Sequence, residues 1–160
     1  MGSEMCIRDR LIYLNTTAYR YFNDVSAQDD GNWHHWVVLI DSDITATKLF
    51  CDGSEVSVIS TTSTGSGLSY LTGIRIGRGD FYYFDGNLDE FAIFDGDKTG
   101  IVSTLYNGGV PSDLTGLSGL EHWWRMGDND GGTGTTVTDQ AGDENATLQN
   151  GAANEVGAPS

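Results

Sequence analysis

The feature that most narrows the fold is a succession of short aromatic and β-branched runs, each cut off by turn residues. "WHHWVVLIDSD", "TATKLFCDG", "SEVSVIS", "NLDEFAIFD" and "LEHWWRMG" all have this form. Such residues suit a pleated, half-buried surface, and turn signals every ~8–12 residues are the pattern of a sandwich or barrel. Residues 11–22 add one or two alternating strands, "IRIGRG" a short strand closing on glycines, and "TVTDQAGDENATLQNGA" two last short strands. The Asp52-Gly53 pair suits a tight hairpin turn. One segment has helical spacing: Ile101, Val102, Leu105 and Tyr106 predict a short helix near 99–107, stopped by Gly108-Gly109. The expectation is an all-β jelly-roll β-sandwich of two antiparallel sheets with that single short helix.

No tandem repeat or linker divides the chain, so residues 11–151 read as one domain and 152–160 as a tail. The first ten residues, "MGSEMCIRDR", have scattered charges and no apolar stretch. They do not read as a signal peptide. "CIRDR" looks like translated adapter sequence, and residues 1–10 are read as a non-native leader.

With 23 acidic and 8 basic residues, the chain carries a net charge of −15. Nucleic acid is a poor partner, because phosphate binding needs clustered lysine and arginine. Anionic membrane is equally unsuited, and no apolar run approaches the ~18 residues of a membrane span. An acidic surface confers solubility and collects divalent cations. The two cysteines, Cys6 and Cys51, make no disulfide framework. Cys51 lies in a strand-like run and is expected to be a small buried hydrophobe.

Asp89 and Glu90 stand together at the head of an apolar run. On a strand they would point to opposite faces, Asp89 with Phe91 and Ile93, Glu90 with Ala92 and Phe94. Diverging carboxylates cannot flank one glycosidic bond. An aspartate on an apolar face needs compensation, from backbone donors such as the turn around Gly86, from a basic residue, or from calcium. "GDNDGG" and "DQAGDEN" place Asp128, Asp130, Asp139 and Asp143 in turns, where aspartate serves turn geometry or a cation equally well. His34 and His35 would also diverge on a strand, and neither has a cysteine or acid at zinc spacing beside it. The four tryptophans are expected to fill the core or a sheet face. "RGDFYYF" puts Tyr82 and Tyr83 on a turn between strands, where the rings can stack on a sugar while Asp80 and Asp85 accept from its hydroxyls; Phe84 can instead plug the core.

"GNWHHWVVLIDSDITATKLFCDGSEV" resembles the Trp-His … Asp-Gly hairpin of concanavalin A-like lectin/glucanase domains, the laminin-G-like and pentraxin-like jelly rolls. "IRIGRGDFYYFDGNLDEFAIFD" and "IVSTLYNGG" are similar to the segments that follow there, and "WWRMGDNDGGTGTTVTDQAGDENATLQNG" to a further element. The resemblance covers about residues 31–151. That last element usually sits near the start of such a domain. Here it closes the chain, either as the start of a second domain or as strands that complete the sheet; the latter leaves no sandwich edge unpaired.

The resemblance implies calcium as a cofactor, for which Asp89, Asp128, Asp130 and Asp139 are the candidate ligands; the aromatic turn makes Asp80, Tyr82, Tyr83 and Asp85 the candidate carbohydrate-binding residues. It implies that the histidine beside Trp33 is a packed core position. The E-x-D-x-x-E triplet of the family's hydrolases is missing from this sequence, so no catalytic residue and no enzyme activity are expected. The chain reads as a non-catalytic binding or structural module of a phage-particle or cell-surface protein, extracellular or on a virion. Its partner would be a glycan or a neighbouring virion or surface protein. The alternatives are a purely architectural decoration domain and a glycoside hydrolase of the same superfamily.

Overall fold

The structure, a computed structural model, describes residues 10–13, 19–22, 30–62, 74–78, 83–128 and 131–153. The chain forms two compact units, Met1–Thr72 with Thr99–Gly109 and Gly73–Lys98 with Val110–Ser160.

The first unit holds β1 (Arg10–Tyr13), β2 (Tyr19–Phe22), β3 (Trp36–Leu39), β4 (Lys48–Cys51), β5 (Ser54–Glu55) and β6 (Val58–Thr62). They form two antiparallel sheets, ordered β1-β2-β6 and β3-β4-β5. The β3–β4 register runs from Trp36 opposite Cys51 to Leu39 opposite Lys48. Asp52 and Gly53, at φ 48° and 76°, turn the chain from β4 into β5. Two successive left-handed residues match the strand twist, and Asp-Gly tolerates them best.

The β3–β4 connection contains a 3₁₀ turn at Ile44–Ala46, so that Thr45 and Ala46 of the expected strand "TATKLFCDG" lie in a turn instead. Asp43 caps it, accepting from Thr45 N at 2.9 Å and Thr45 Oγ1 at 2.7 Å. Local side-chain acceptors of this kind outcompete the sheet ladder. The Arg20 guanidinium, from β2, donates to the carbonyls of Thr45 and Thr47 and so fastens this turn. Phe22, Ile44, Thr47, Leu49, Phe50 and Cys51 are buried. Each large apolar side chain among them contributes about 1.5–3 kcal/mol by leaving water. The expected helix is present as α1 (Val102–Tyr106), flanked by 3₁₀ turns at Thr99–Ile101 and Asn107–Gly109. Val102 and Leu105, three apart, are its buried face. Asn107 at φ 46° and Gly108 at φ 68° end it.

The second unit holds β7 (Phe91–Phe94), β8 (Leu120–Trp124), β9 (Thr136–Val137) and β10 (Ala146–Thr147), paired antiparallel as β7-β8 and β9-β10. Trp123 and Trp124 are both buried, at 5 % exposure each, so β8 is covered on both faces. Leu114 and Val137 are buried as well. Gly119 (φ 76°) lets β8 start beside Asp95, whose amide donates to the Gly119 carbonyl at 2.7 Å. A Cβ there would stand 2.6 Å from the Asp95 carbonyl oxygen.

The all-β class expected from the sequence is what the chain adopts, in several antiparallel sheets with one short helix. Two elements differ. "IRIGRG" is not a strand; its described part makes one isolated bridge, Arg78 to Tyr83. β7 begins at Phe91, not at Asp89, because Glu90 adopts φ 52° and breaks the extended run. Among the described residues, no helix is long and apolar enough to cross a membrane.

Candidate functional site

Glu90 does not point away as strand alternation requires. Its left-handed backbone removes that rule. One carboxylate oxygen accepts from Trp123 Nε1 at 2.6 Å and the other from Arg125 Nε at 2.8 Å. Arg125 also donates through NH2 to Asp128 at 3.2 Å, and its guanidinium lies 5.1 Å from the Trp123 ring centroid. Acid, guanidinium and indole therefore lock one another, by charge-assisted hydrogen bonds and a cation–π contact. Carboxylates around it raise the affinity of Arg125 for its proton, despite the opposing effect of burial.

Asp89 sits at the edge of this cluster. Burial, then the charge of Glu90, pushes its carboxyl up to about 6. The expected backbone compensation comes from the Glu90 amide, not from the turn at Gly86, and Asp89 Oδ2 is buried without a hydrogen-bond partner. The desolvation cost read from the sequence is thus only partly offset.

Trp123 and Arg125 form part of the wall of a cleft of about 420 Å³, lined also by Pro111, Ser112, Asp113, Thr115 and Gln140. Asp113 accepts from Thr115 N at 2.9 Å and so shapes the turn at the rim. Thr115 holds the Asp113 carboxyl below its ordinary value. The cleft brings hydroxyl, amide, carboxylate and guanidinium groups together, and its exposed lining is mostly polar.

Of the described acids expected to bind calcium, Asp89 and Asp128 both lie near Arg125, whereas Asp139 is bound into its own loop. Asp139 Oδ1 accepts from the amides of Trp123 (2.9 Å), Ala141 (3.1 Å) and Gly142 (3.0 Å). Its Oδ2 faces His122 Nδ1 at 2.6 Å and the Glu144 amide at 3.3 Å. These donors outweigh the burial that works to raise the carboxyl, and hold it far below the usual range. A carboxylate so surrounded ties a loop to β8. Gly142 permits this, since a Cβ there would lie 2.7 Å from Asp139 Oδ2. Asp128 is engaged by Arg125, and Asp130 lies outside the described residues. Among the described residues, Asp89, Asp128 and Asp139 form no three-donor group at metal spacing.

Of the residues expected to bind carbohydrate, Asp80 and Tyr82 lie outside the described residues, while Asp85 is exposed and Tyr83 is 62 % exposed. The Arg78 guanidinium lies 5.4 Å from the Tyr83 ring centroid. Phe84 does not plug the core; it is exposed, as is Trp33.

The structure assembles one donor group that linear spacing concealed. His34, Cys51 and Asp52 each bring a ligand atom within 4.8 Å of the others. The β3–β4 register carries positions 17 and 18 apart in sequence to one end of the hairpin. His34 Nδ1 faces Asp52 Oδ2 at 2.8 Å and His34 Nε2 faces Asp30 Oδ1 at 3.1 Å. Asp52 Oδ1 accepts from the His35 amide at 2.9 Å, and the Cys51 thiol donates to the Asp52 carboxylate. The bond to Asp52, reinforced by Asp30, raises the His34 imidazole above its ordinary value against the effect of burial. His34 is therefore not a packed core residue. Its neighbour His35, likewise part-buried, lies 6.0 Å from the Tyr106 ring, and burial lowers its basicity.

A laminin G family model, described as the concanavalin A-like lectin/glucanases superfamily, matches residues 10–100. The match takes in the Trp33–Asp52 hairpin and the Asp89–Glu90 element, and ends before β8. No curated protein and no solved structure matches the chain. The chain belongs to the concanavalin A-like lectin/glucanases superfamily.

Proposed function

We propose that the chain is a non-catalytic glycan-binding module of a phage-particle or cell-surface protein, and that the cleft walled by Trp123 and Arg125 receives the sugar. The observation that carries this reading is the convergence of Ser112, Asp113, Thr115, Arg125 and Gln140 on one concavity. Vicinal hydroxyls pair well with planar, bidentate groups such as guanidinium, carboxylate and amide, and a rigid site loses little entropy on binding. Membership of a lectin-containing superfamily supports the substrate class. The non-catalytic part rests on Glu90 and Asp128, which are engaged by Trp123 and Arg125.

Affinity electrophoresis or a glycan array with the whole chain tests the site. Gln140→Ala and Ser112→Ala should weaken retention while Tyr83→Ala leaves it unchanged. The opposite pattern would move the site to the Tyr83 turn. An array with no retained glycan would refute the carbohydrate reading and favour an architectural decoration domain.

One observation favours a hydrolase instead: Asp89, pushed up to about 6, stands beside charged carboxylates, as the acid of a glycosidase pair does. Release of reducing sugar from β-glucans, lost in Asp89→Asn, would establish that reading. The non-catalytic reading expects no release.

A further inference from the structure

We propose that His34, Cys51 and Asp52 form a binding site for a divalent transition-metal ion of the zinc class, at the end of the β3–β4 hairpin and independent of the glycan cleft. The donor set carries the metal assignment. A thiolate, an imidazole nitrogen and a carboxylate oxygen together select zinc or a similar borderline ion over calcium or magnesium, which take oxygen alone.

The spacing is suitable. Bond lengths of about 2.0–2.3 Å place the ligand atoms of a tetrahedral zinc roughly 3.3–3.6 Å apart. The three atoms here already lie within 4.8 Å of one another, and His34 Nδ1 to Asp52 Oδ2 is 2.8 Å. Side-chain rotation has to open the 2.8 Å His34–Asp52 distance to admit an ion, and the other separations are already no more than 4.8 Å. The ion then takes the place of the thiol proton of Cys51 and of any proton shared between His34 Nδ1 and Asp52.

The surroundings are organised in the same sense. Asp30 faces the far nitrogen of the His34 ring at 3.1 Å, the position from which a carboxylate orients a metal-bound imidazole and fixes its tautomer. Asp52 is held by the His35 amide through its other oxygen, and its own amide donates to the His35 carbonyl at 2.9 Å. The left-handed turn at Asp52-Gly53 follows directly on β4 and sets the Asp52 carboxylate beside the His34 ring. Cys51 is buried at 7 % exposure, while the side chains of His34 and Asp52 are 15 % and 32 % exposed, so an ion enters from the solvent side and the sulfur is shielded. Three protein ligands leave a fourth position for water or a small anion.

Cobalt(II) titration of the whole chain carrying Cys6→Ser tests this, because Cys51 is then the sole thiol. A thiolate-to-cobalt charge-transfer band in the near ultraviolet should saturate at one ion per chain and disappear when zinc is added. Zinc alone should raise the melting temperature, since it binds the folded state. Cys51→Val, which keeps a buried apolar side chain, should abolish the band. His34→Gln should weaken cobalt binding about 10-fold or more, and Asp30→Asn by about 10-fold, with the band retained. No band, or a melting temperature unmoved by zinc, overturns the site. A band that survives Cys51→Val, or an affinity untouched by His34→Gln, overturns it as well. Should a variant fail to fold, the titration of the Cys6→Ser chain still decides.

Discussion

The Glu90 carboxylate bridges Trp123 and Arg125, accepting from the indole at 2.6 Å and from the guanidinium at 2.8 Å. One side chain therefore positions two walls of the cleft. Replacing Glu90 with Gln keeps an acceptor for the indole but removes the charge that holds Arg125. We expect a loss of about 1.5–3 kcal/mol in chemical denaturation, the value of hydrogen bonds to charged groups. Glycan retention should fall with it, because Arg125 is then free to follow Asp128 alone.

Asp89→Asn should behave in the opposite way. The folded chain holds this carboxyl at about 6, above its ordinary value of 3.8. The folded state thus binds the proton more tightly than the unfolded one, so stability falls as pH rises from about 4 to about 6. An asparagine imitates the protonated form. The variant should melt higher than the parent at pH 7 and nearly level with it at pH 4. Equal shifts at both pH values would show that Asp89 ionisation costs the fold nothing.

Asp139→Asn tests the loop anchor. Losing the charge weakens acceptance from four amides and from His122 together, and we expect a cost of about 2–4 kcal/mol at neutral pH. The native carboxyl is held far below its unfolded value. Its contribution is therefore complete above the unfolded value of about 3.9 and is lost as pH falls below it. The parent and the variant should accordingly converge in melting temperature under acid conditions.

Gly119→Ala should destabilise by more than the ~1 kcal/mol that a left-handed alanine costs on its own. The added Cβ would meet the Asp95 carbonyl at 2.6 Å, and that carbonyl is backbone that cannot swing aside. Gly116, at φ 77° with open space around it, provides the comparison: Gly116→Ala should cost only the conformational part. Urea denaturation of the pair separates strain from clash.

Much of the fold was legible from local pattern. The runs around Trp36–Leu39, Lys48–Cys51, Phe91–Phe94 and Leu120–Trp124 are strands, and Val102 with Leu105 is a buried helical face, because these depend on side-chain period and turn residues close in sequence. The site was not legible in the same way. A left-handed Glu90 cancels the alternation that would have parted it from its neighbour, and nothing in "NLDEF" announces that backbone. The aspartates read as cation ligands have different partners: Asp139 has amides of its own loop and Asp128 has Arg125. His34 meets Cys51 and Asp52 only through the strand register. Sequence alone determined the all-β class, the acidic surface and the hairpin turns, since hydrophobic period, charge and Asp-Gly act locally. Tertiary structure alone decided that Glu90 meets Arg125, Asp139 the Trp123 amide and His34 the Asp52 carboxylate, because these pairs stand 35, 16 and 18 positions apart and their spacing obeys no local period.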